Sequence, residues 1–143
     1  MLPRDSFSSF AQNRLAFVLL AMFFVTLTHA GADTVAVPIS LSIDPAVVLQ
    51  GDDQRTVLKT TVTLQAPSPG YFICEVRSKE KRKLECTSII FKKGDTEGQG
   101  VATIYWDNVK TDSTVKVSAF NVDTPDTVVS FTVNLQVKVE GNP

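Results

Sequence analysis

Histidine is nearly absent from the sequence, and the one example, His29, lies in an apolar N-terminal stretch. Histidine is the commonest general base near neutral pH and a usual zinc ligand, so its scarcity argues against Ser-His-Asp catalysis, Cys-His catalysis and zinc sites. A phosphate-binding loop is also missing, because GDTEGQG, 94–100, lacks the Lys-Ser/Thr pair that follows such loops. We therefore expect neither an enzyme nor a cofactor.

The chain has little excess of either charge, with 14 basic and 15 acidic side chains and a formal net charge of −1. This balance argues against nucleic acid as a partner. Several carboxylates fall in predicted turns: Asp52, Asp53, Asp95, Glu97, Asp123 and Asp126. Asp is favoured in turns for local reasons, so we expect no metal site there. Calcium held between such loops is the alternative, because hard oxygen ligands suit it.

The N-terminus has the order of features typical of a secretory signal peptide. A polar start containing Arg4 and Arg14 precedes the uncharged run LAFVLLAMFFVTLT, and the small residues Ala30-Gly31-Ala32 follow. We expect cleavage after Ala32 or Ala30. Residues 1–32 would then be the signal peptide, and 33–143 a single exported domain without a membrane span. An uncleaved membrane anchor is the alternative interpretation.

After residue 32 the apolar residues recur at every second position. The stretch VAVPISLSI, 35–43, alternates in this way, and Pro38 places it at the edge of a sheet. In the last stretch, 129–139, Phe131 and Val133 should face the core and Thr132 should face water. About seven such strands, separated by turn signals, predict an all-β fold in which two sheets form an immunoglobulin-like sandwich.

Several segments resemble the immunoglobulin-like modules of large bacterial surface and secreted proteins. They are LSIDPAVVLQGDD, VLKTTVTLQAPSP, IIFKKGDTEGQGVATI, VKVSAF and SFTVNLQVKV, and residues 61–69 match best. The resemblance implies a Greek-key sandwich used as a spacer, display or adhesion module, and it carries over no catalytic residues. This chain departs from the pattern in having a single copy and a charged stretch flanked by cysteines.

That stretch, YFICEVRSKEKRKLECTSIIF, contains both cysteines of the chain. If it is a hairpin with Cys74 opposite Cys86, Val76 faces Leu84 and the loop is a common three-residue length. Directly opposed residues come within disulfide reach. We therefore expect a disulfide between Cys74 and Cys86, and an oxidising location: secreted, cell-surface or periplasmic.

The tip of this predicted hairpin carries five cations around a single carboxylate, that of Glu80. The cations are Arg77, Lys79, Lys81, Arg82 and Lys83. One interpretation is a solvated turn on an exported structural or protein-interaction module, where charge also prevents edge-to-edge sheet association. The other is a binding site for an anionic or carbohydrate ligand. The expected partner is thus an unidentified protein or an anionic surface ligand.

Overall fold

A computed structural model describes residues 35–138, in which nearly all regular structure is β-strand. The predicted signal peptide, 1–32, lies outside the described residues. The strands are β1 Pro38–Asp44, β2 Val47–Leu49, β3 Arg55–Leu64, β4 Phe72–Ser78, β5 Leu84–Cys86, β6 Ile89–Phe91, β7 Glu97–Tyr105, β8 Ser113–Asn121 and β9 Thr124–Gln136. Within 35–138, no helix is long and apolar enough to span a membrane.

The strands form two sheets, one with the order β1-β3-β7-β5 and the other with the order β2-β9-β8-β4-β6. Neighbouring strands are antiparallel except for β2, which runs parallel to β9. The predicted all-β, two-sheet sandwich is confirmed. The described strands outnumber the expected seven because residues 84–91 form two short strands, β5 and β6, and because the three-residue β2 was not expected. Pro38 lies in an edge strand, as predicted.

The core lies between the sheets and is built from alternate residues of each long strand. Leu58 and Val62 of β3 face Val115, Val117 and Val133 of the other sheet, and all of these side chains are buried. Such alternation is what two sheets need in order to bury one face each. The period-two pattern therefore predicted the core faces of the long strands. It failed at the start of β1, where the register shifts between Pro38 and Ser40, so that Pro38 is buried and Ile39 is 54% exposed.

One 3₁₀ turn, Trp106–Asn108, follows β7 and closes one end of the core. The Trp106 indole is buried, and its Nε1 donates a hydrogen bond to Oγ1 of Thr56, 2.8 Å away. Because a buried indole N–H needs an acceptor, this bond allows the largest side chain of the chain to enter the core.

The last strand, β9, has the predicted inner and outer faces, but one inner side chain is less buried than expected. Val133 is buried and Thr132 is exposed, as expected. Phe131 points inward and packs against the core, but it is only partly buried. The pairing of β2 with β9 covers only residues 134–136, so Phe131 lies at an edge of the sheet where less of the chain surrounds it.

Candidate functional site: the basic turn between the sheets

The predicted hairpin is present only in part. The outer ends of its arms pair antiparallel as β4 and β6, with Phe72 opposite Phe91, but Leu84–Cys86 of the second arm form β5 in the other sheet. In the five-stranded sheet, β4 pairs with β6 and β8, so that Cys74 lies opposite Ile89 and Asn121. In the four-stranded sheet, β5 pairs with β7, so that Cys86 lies opposite Ala102. The segment 79–83 therefore carries the chain across the sandwich instead of turning it back on itself.

The predicted disulfide is absent for the same reason, and Cys74 and Cys86 are both free. The disulfide depended on the two residues being opposed across one hairpin. Each residue instead has other strand partners, in opposite sheets. Burial raises the pKa of both thiols from 9.0 to about 11, because it disfavours the charged thiolate. The thiols are therefore poor nucleophiles at neutral pH.

The sequence contained a signal against the predicted register of the hairpin. The register that opposes Cys74 to Cys86 would also oppose Glu75 to Glu85 and Arg77 to Lys83. Like charges directly opposed across two strands are destabilising. In the structure Glu75 lies opposite Phe120, and Glu85 accepts a hydrogen bond at Oε2 from the Tyr105 hydroxyl at 2.8 Å. The predicted register would therefore have created two repulsive like-charge pairs, which the observed strand pairing avoids.

The segment between the sheets, 79–83, is here called the basic turn. The amide of Glu80 donates to Oγ of the buried Ser78 at 3.0 Å, which fixes the start of the turn. The amides of Lys83 and Leu84 both donate to the Glu80 carbonyl, at 2.9 and 3.0 Å. Nδ2 of Asn108 donates to the Arg82 carbonyl at 2.7 Å. These bonds hold the backbone of the basic turn in one conformation.

The structure brings four of the five predicted cations together and sets Arg77 apart. Arg77 lies on β4, pairs with Glu75 at 3.0 Å and stacks over Phe120 with 4.6 Å from its guanidinium carbon to the ring centroid. Its charge is therefore already partnered on the outer face of the sheet. Arg77 does not border the concavity described next.

The four remaining cations border an open concavity of about 610 Å³. Its lining is Lys79, Glu80, Lys81, Arg82, Lys83 and Asn108. Lys83 Nζ pairs with Glu80 Oε1 at 3.2 Å. Within residues 35–138 no carboxylate lies within ion-pair distance of the other three cations. An open, cationic surface with an amide at its border suits hydrogen bonding to an anion.

Asn108 is the member of this site that sequence reasoning missed. It belongs to the 3₁₀ turn after β7, which lies 26 residues beyond Arg82 in the chain, and its amide reaches the basic turn only because β5 pairs with β7. A sequence pattern could have found it only by predicting that strand pairing. The amide has one role already, since it fixes the Arg82 carbonyl.

Of the carboxylates predicted to lie in turns, Asp95 does so, whereas Glu97 begins β7 and Asp126 lies in β9. Oδ2 of Asp95 accepts from the Lys92 amide at 2.8 Å, which closes the loop between β6 and β7. Among the described residues, His, Cys, Asp and Glu side chains do not gather in groups of three or more that could hold a metal ion. Asp95 thus contributes to the turn in which it lies.

No protein-family model matches the chain, and no curated protein matches it. Among solved structures, domains 4 and 5 of the S-layer protein SbsC are similar at 13% identity and a TM-score of 0.41, over 73% of this chain and 54% of that one. The periplasmic chaperone SfaE is similar at 12% identity and a TM-score of 0.41, over 71% of this chain and 58% of that one. The chain thus spans little more than half the length of these structures, and at such scores the similarity supports no statement about function.

Proposed function

We propose that this chain is an exported, non-catalytic module with a structural or protein-interaction role. The observation that carries the proposal is that the charged side chains of the described residues lie at the surface. Within residues 35–138 the buried polar side chains are Thr60, Ser68, Ser78 and Asn121, so no carboxylate, lysine or arginine is buried. Catalytic acids and bases usually owe their altered pKa to burial. A sandwich with all of these charges at its surface is suited to contact with other molecules.

Crosslinking in the native host at natural abundance tests this role. An interaction module should be recovered largely in discrete covalent complexes, with itself or with another exported protein. A reagent that joins lysines is appropriate, since Lys79, Lys81, Lys92 and Lys93 are exposed. Recovery of the whole population as an uncrosslinked monomer would contradict the proposal. Mass spectrometry of a sample that has not been crosslinked would also show whether the mature chain begins near residue 31 or 33.

A second candidate function is the binding of an anionic or carbohydrate ligand at the basic turn. Lys79, Lys81 and Arg82 support it, because they border the concavity without a carboxylate partner among the described residues. Unpaired cations on a fixed backbone need little reorganisation when an anion arrives. Sulfate, carboxylate or phosphate groups share the required chemistry, whether they belong to a glycan or to a lipid headgroup.

Heparin is a suitable polyanionic probe for this second candidate. Replacing Lys79, Lys81 and Arg82 together by Gln should weaken heparin binding by about tenfold or more at low salt, where charge attraction is least screened. The matched control replaces Lys92, Lys93 and Lys110, three exposed cations outside the basic turn. Equal losses of heparin affinity in the two variants would show that heparin binds through overall charge. The basic turn would then be only a solvated connection. Vesicles with and without anionic lipid distinguish a headgroup from a glycan.

A further inference from the structure

The sandwich has several sheet edges, and most of them are protected against pairing with another strand. The edge strand β1 begins at Pro38, and its register shifts between Pro38 and Ser40. The edge strands β5 and β6 are three residues long. Proline, irregular pairing and short length are the usual devices that prevent edge-to-edge association of β-sheets. The exception is found at β9.

On one side β9 pairs with β8, but on its other side β2 reaches only residues 134–136. The Asn134 amide donates to the Ala46 carbonyl, 2.9 Å away, so the backbone groups of Asn134 point away from β8. Backbone direction alternates along a strand, and the pairing of β9 with β8 is regular from Val128 to Leu135. Val128, Ser130 and Thr132 therefore direct their N–H and C=O groups to the same side as Asn134. We call residues 126–132 the open edge.

From Val128 onward the open edge has none of the protective features of the other edges, since Pro125, Asp126 and the shift in the β8–β9 register all lie before Val128. Residues 127–133, TVVSFTV, contain no charged residue and no proline. Val128 is 51% exposed, and the inward-pointing Val129 and Phe131 are only partly buried. Within 35–138, no backbone group outside the strand is bonded to the open edge on this side. An edge that is regular and uncharged from Val128 onward is a template for another strand.

We propose that the open edge pairs with the open edge of a second copy of this chain, antiparallel about a two-fold axis at Val129. The pairing places Val128 opposite Ser130 of the second copy and Asp126 opposite its Thr132, so like charges are not opposed. The two Val129 side chains meet on the inner side, and each Phe131 gains a neighbour. The proposal deepens the interaction role proposed above, on which it rests, by naming the partner.

Two observations favour a second copy over an unrelated strand. Residues 127–133 carry no charge, so this segment cannot select a different partner by charge complementarity. A two-fold pairing also closes on itself, because it uses both open edges and leaves mainly the protected edges outside. Pairing over seven residues buries less than the roughly 1,200 Å² of a stable interface, so the dimer should have a dissociation constant in the micromolar range or weaker.

Analytical ultracentrifugation of the purified protein over a range of concentrations tests the proposal. A reversible monomer–dimer equilibrium is expected. Hydrogen exchange of the amides of Val128, Ser130 and Thr132 should slow as the concentration rises, because these amides become bonded only in the dimer. The amides of Val129 and Phe131 already point toward β8 and should be protected at every concentration.

Three variants identify the surface that pairs. Ser130→Pro removes an N–H that is not used inside the sandwich, so the fold should persist while dimer affinity falls about tenfold or more. Ser130→Ala is the matched control, because it keeps the N–H and removes the same hydroxyl. Val128→Lys adds an exposed charge to the open edge and should also weaken the dimer by about tenfold, even if the proline variant fails to fold.

Each alternative result overturns the proposal in a distinct way. A monomer at concentrations up to about 1 mM would exclude the dimer. A dimer with the same affinity in all three variants would place the contact on another surface. Concentration-independent protection of Val128, Ser130 and Thr132 would mean that part of the same chain covers the open edge. A monomer that is nevertheless crosslinked to another exported protein would leave the interaction role standing without this partner.

Discussion

At the scale of single residues, the two cysteines show how burial determines chemistry. Cys74 is buried in the core and Cys86 is half-buried, and neither has a disulfide partner. We predict that protein purified without reductant releases two free thiols on denaturation, and that the native thiols react slowly with iodoacetamide at pH 7. The rate should rise steeply toward pH 11. Recovery of a peptide in which Cys74 is joined to Cys86 would contradict this.

The same pKa shifts imply a loss of stability in alkali. The pKa of each thiol rises from 9.0 to about 11 on folding, so the protonated thiols favour the folded state. This contribution is complete below pH 9 and is lost as the pH rises through 11. Urea unfolding from pH 8 to pH 11 should show the decline, and a Cys74→Ala, Cys86→Ala variant should show less of it. An equal decline in the variant would assign the effect to other groups.

Neighbouring residues of β9 should differ sharply in what they contribute to stability. Val133→Ala should lower the free energy of unfolding by about 2–3 kcal/mol, because it leaves a cavity between the sheets. The exposed Thr132→Ala should cost well under about 1 kcal/mol. Phe131→Ala should cost less than the roughly 3–5 kcal/mol typical of a fully buried ring, because Phe131 is only partly buried. Urea denaturation measures all three, and equal costs at 132 and 133 would mean that the faces of β9 are misassigned.

At the scale of strands, a glycine in β7 allows the two sheets to approach each other. A Cβ on Gly98 would collide with Cγ2 of Ile89, and it would lie 2.7 Å from Cζ of Phe91. Phe91 cannot easily yield, since it is fully buried and stacks on Phe72 with 4.9 Å between ring centroids. Gly98→Ala should therefore lower the unfolding midpoint by an amount equivalent to about 1–3 kcal/mol.

Gly51→Ala is the matched control for this effect. Nothing lies within 4 Å of the added methyl group at Gly51, and the backbone there is not in the left-handed region. It should be neutral or slightly stabilising, because alanine reduces the freedom of the unfolded chain. If both glycine variants lose the same stability, close packing at Gly98 is not the cause.

The comparison of sequence with structure is most informative at this scale. Alternation fixes which face of a strand is buried, so the inward positions of β8 and β9 were predictable from the residues alone. Alternation does not identify the partner of a strand, because a return to the same sheet and a crossing to the other sheet bury the same residues. The opposed Glu75 and Glu85 were the available signal. Asn108 could not be assigned to the basic turn before the pairing of β5 with β7 was known.

At the scale of the whole molecule, both sheets are assembled from distant parts of the chain. The four-stranded sheet joins β1 and β3 to β7 and β5, and the five-stranded sheet places β4 between β6 and β8. Each sheet thus combines strands from before the basic turn with strands from after it. Sheets that depend on such long-range pairing fold more slowly than those built from local hairpins, and folding on a scale of milliseconds to seconds is expected.

The basic turn has a consequence for how the molecule can be divided. It carries exposed Lys79, Lys81 and Arg82 at the point where the chain leaves one sheet for the other, so limited trypsin digestion should cut there first. The nicked protein should stay folded, because every sheet still contains strands from both fragments. Neither fragment can complete a sheet alone, so separated halves should be unfolded and should regain the native circular dichroism spectrum only when mixed. The two fragments would then work as a split reporter, divided at the solvent-exposed basic turn.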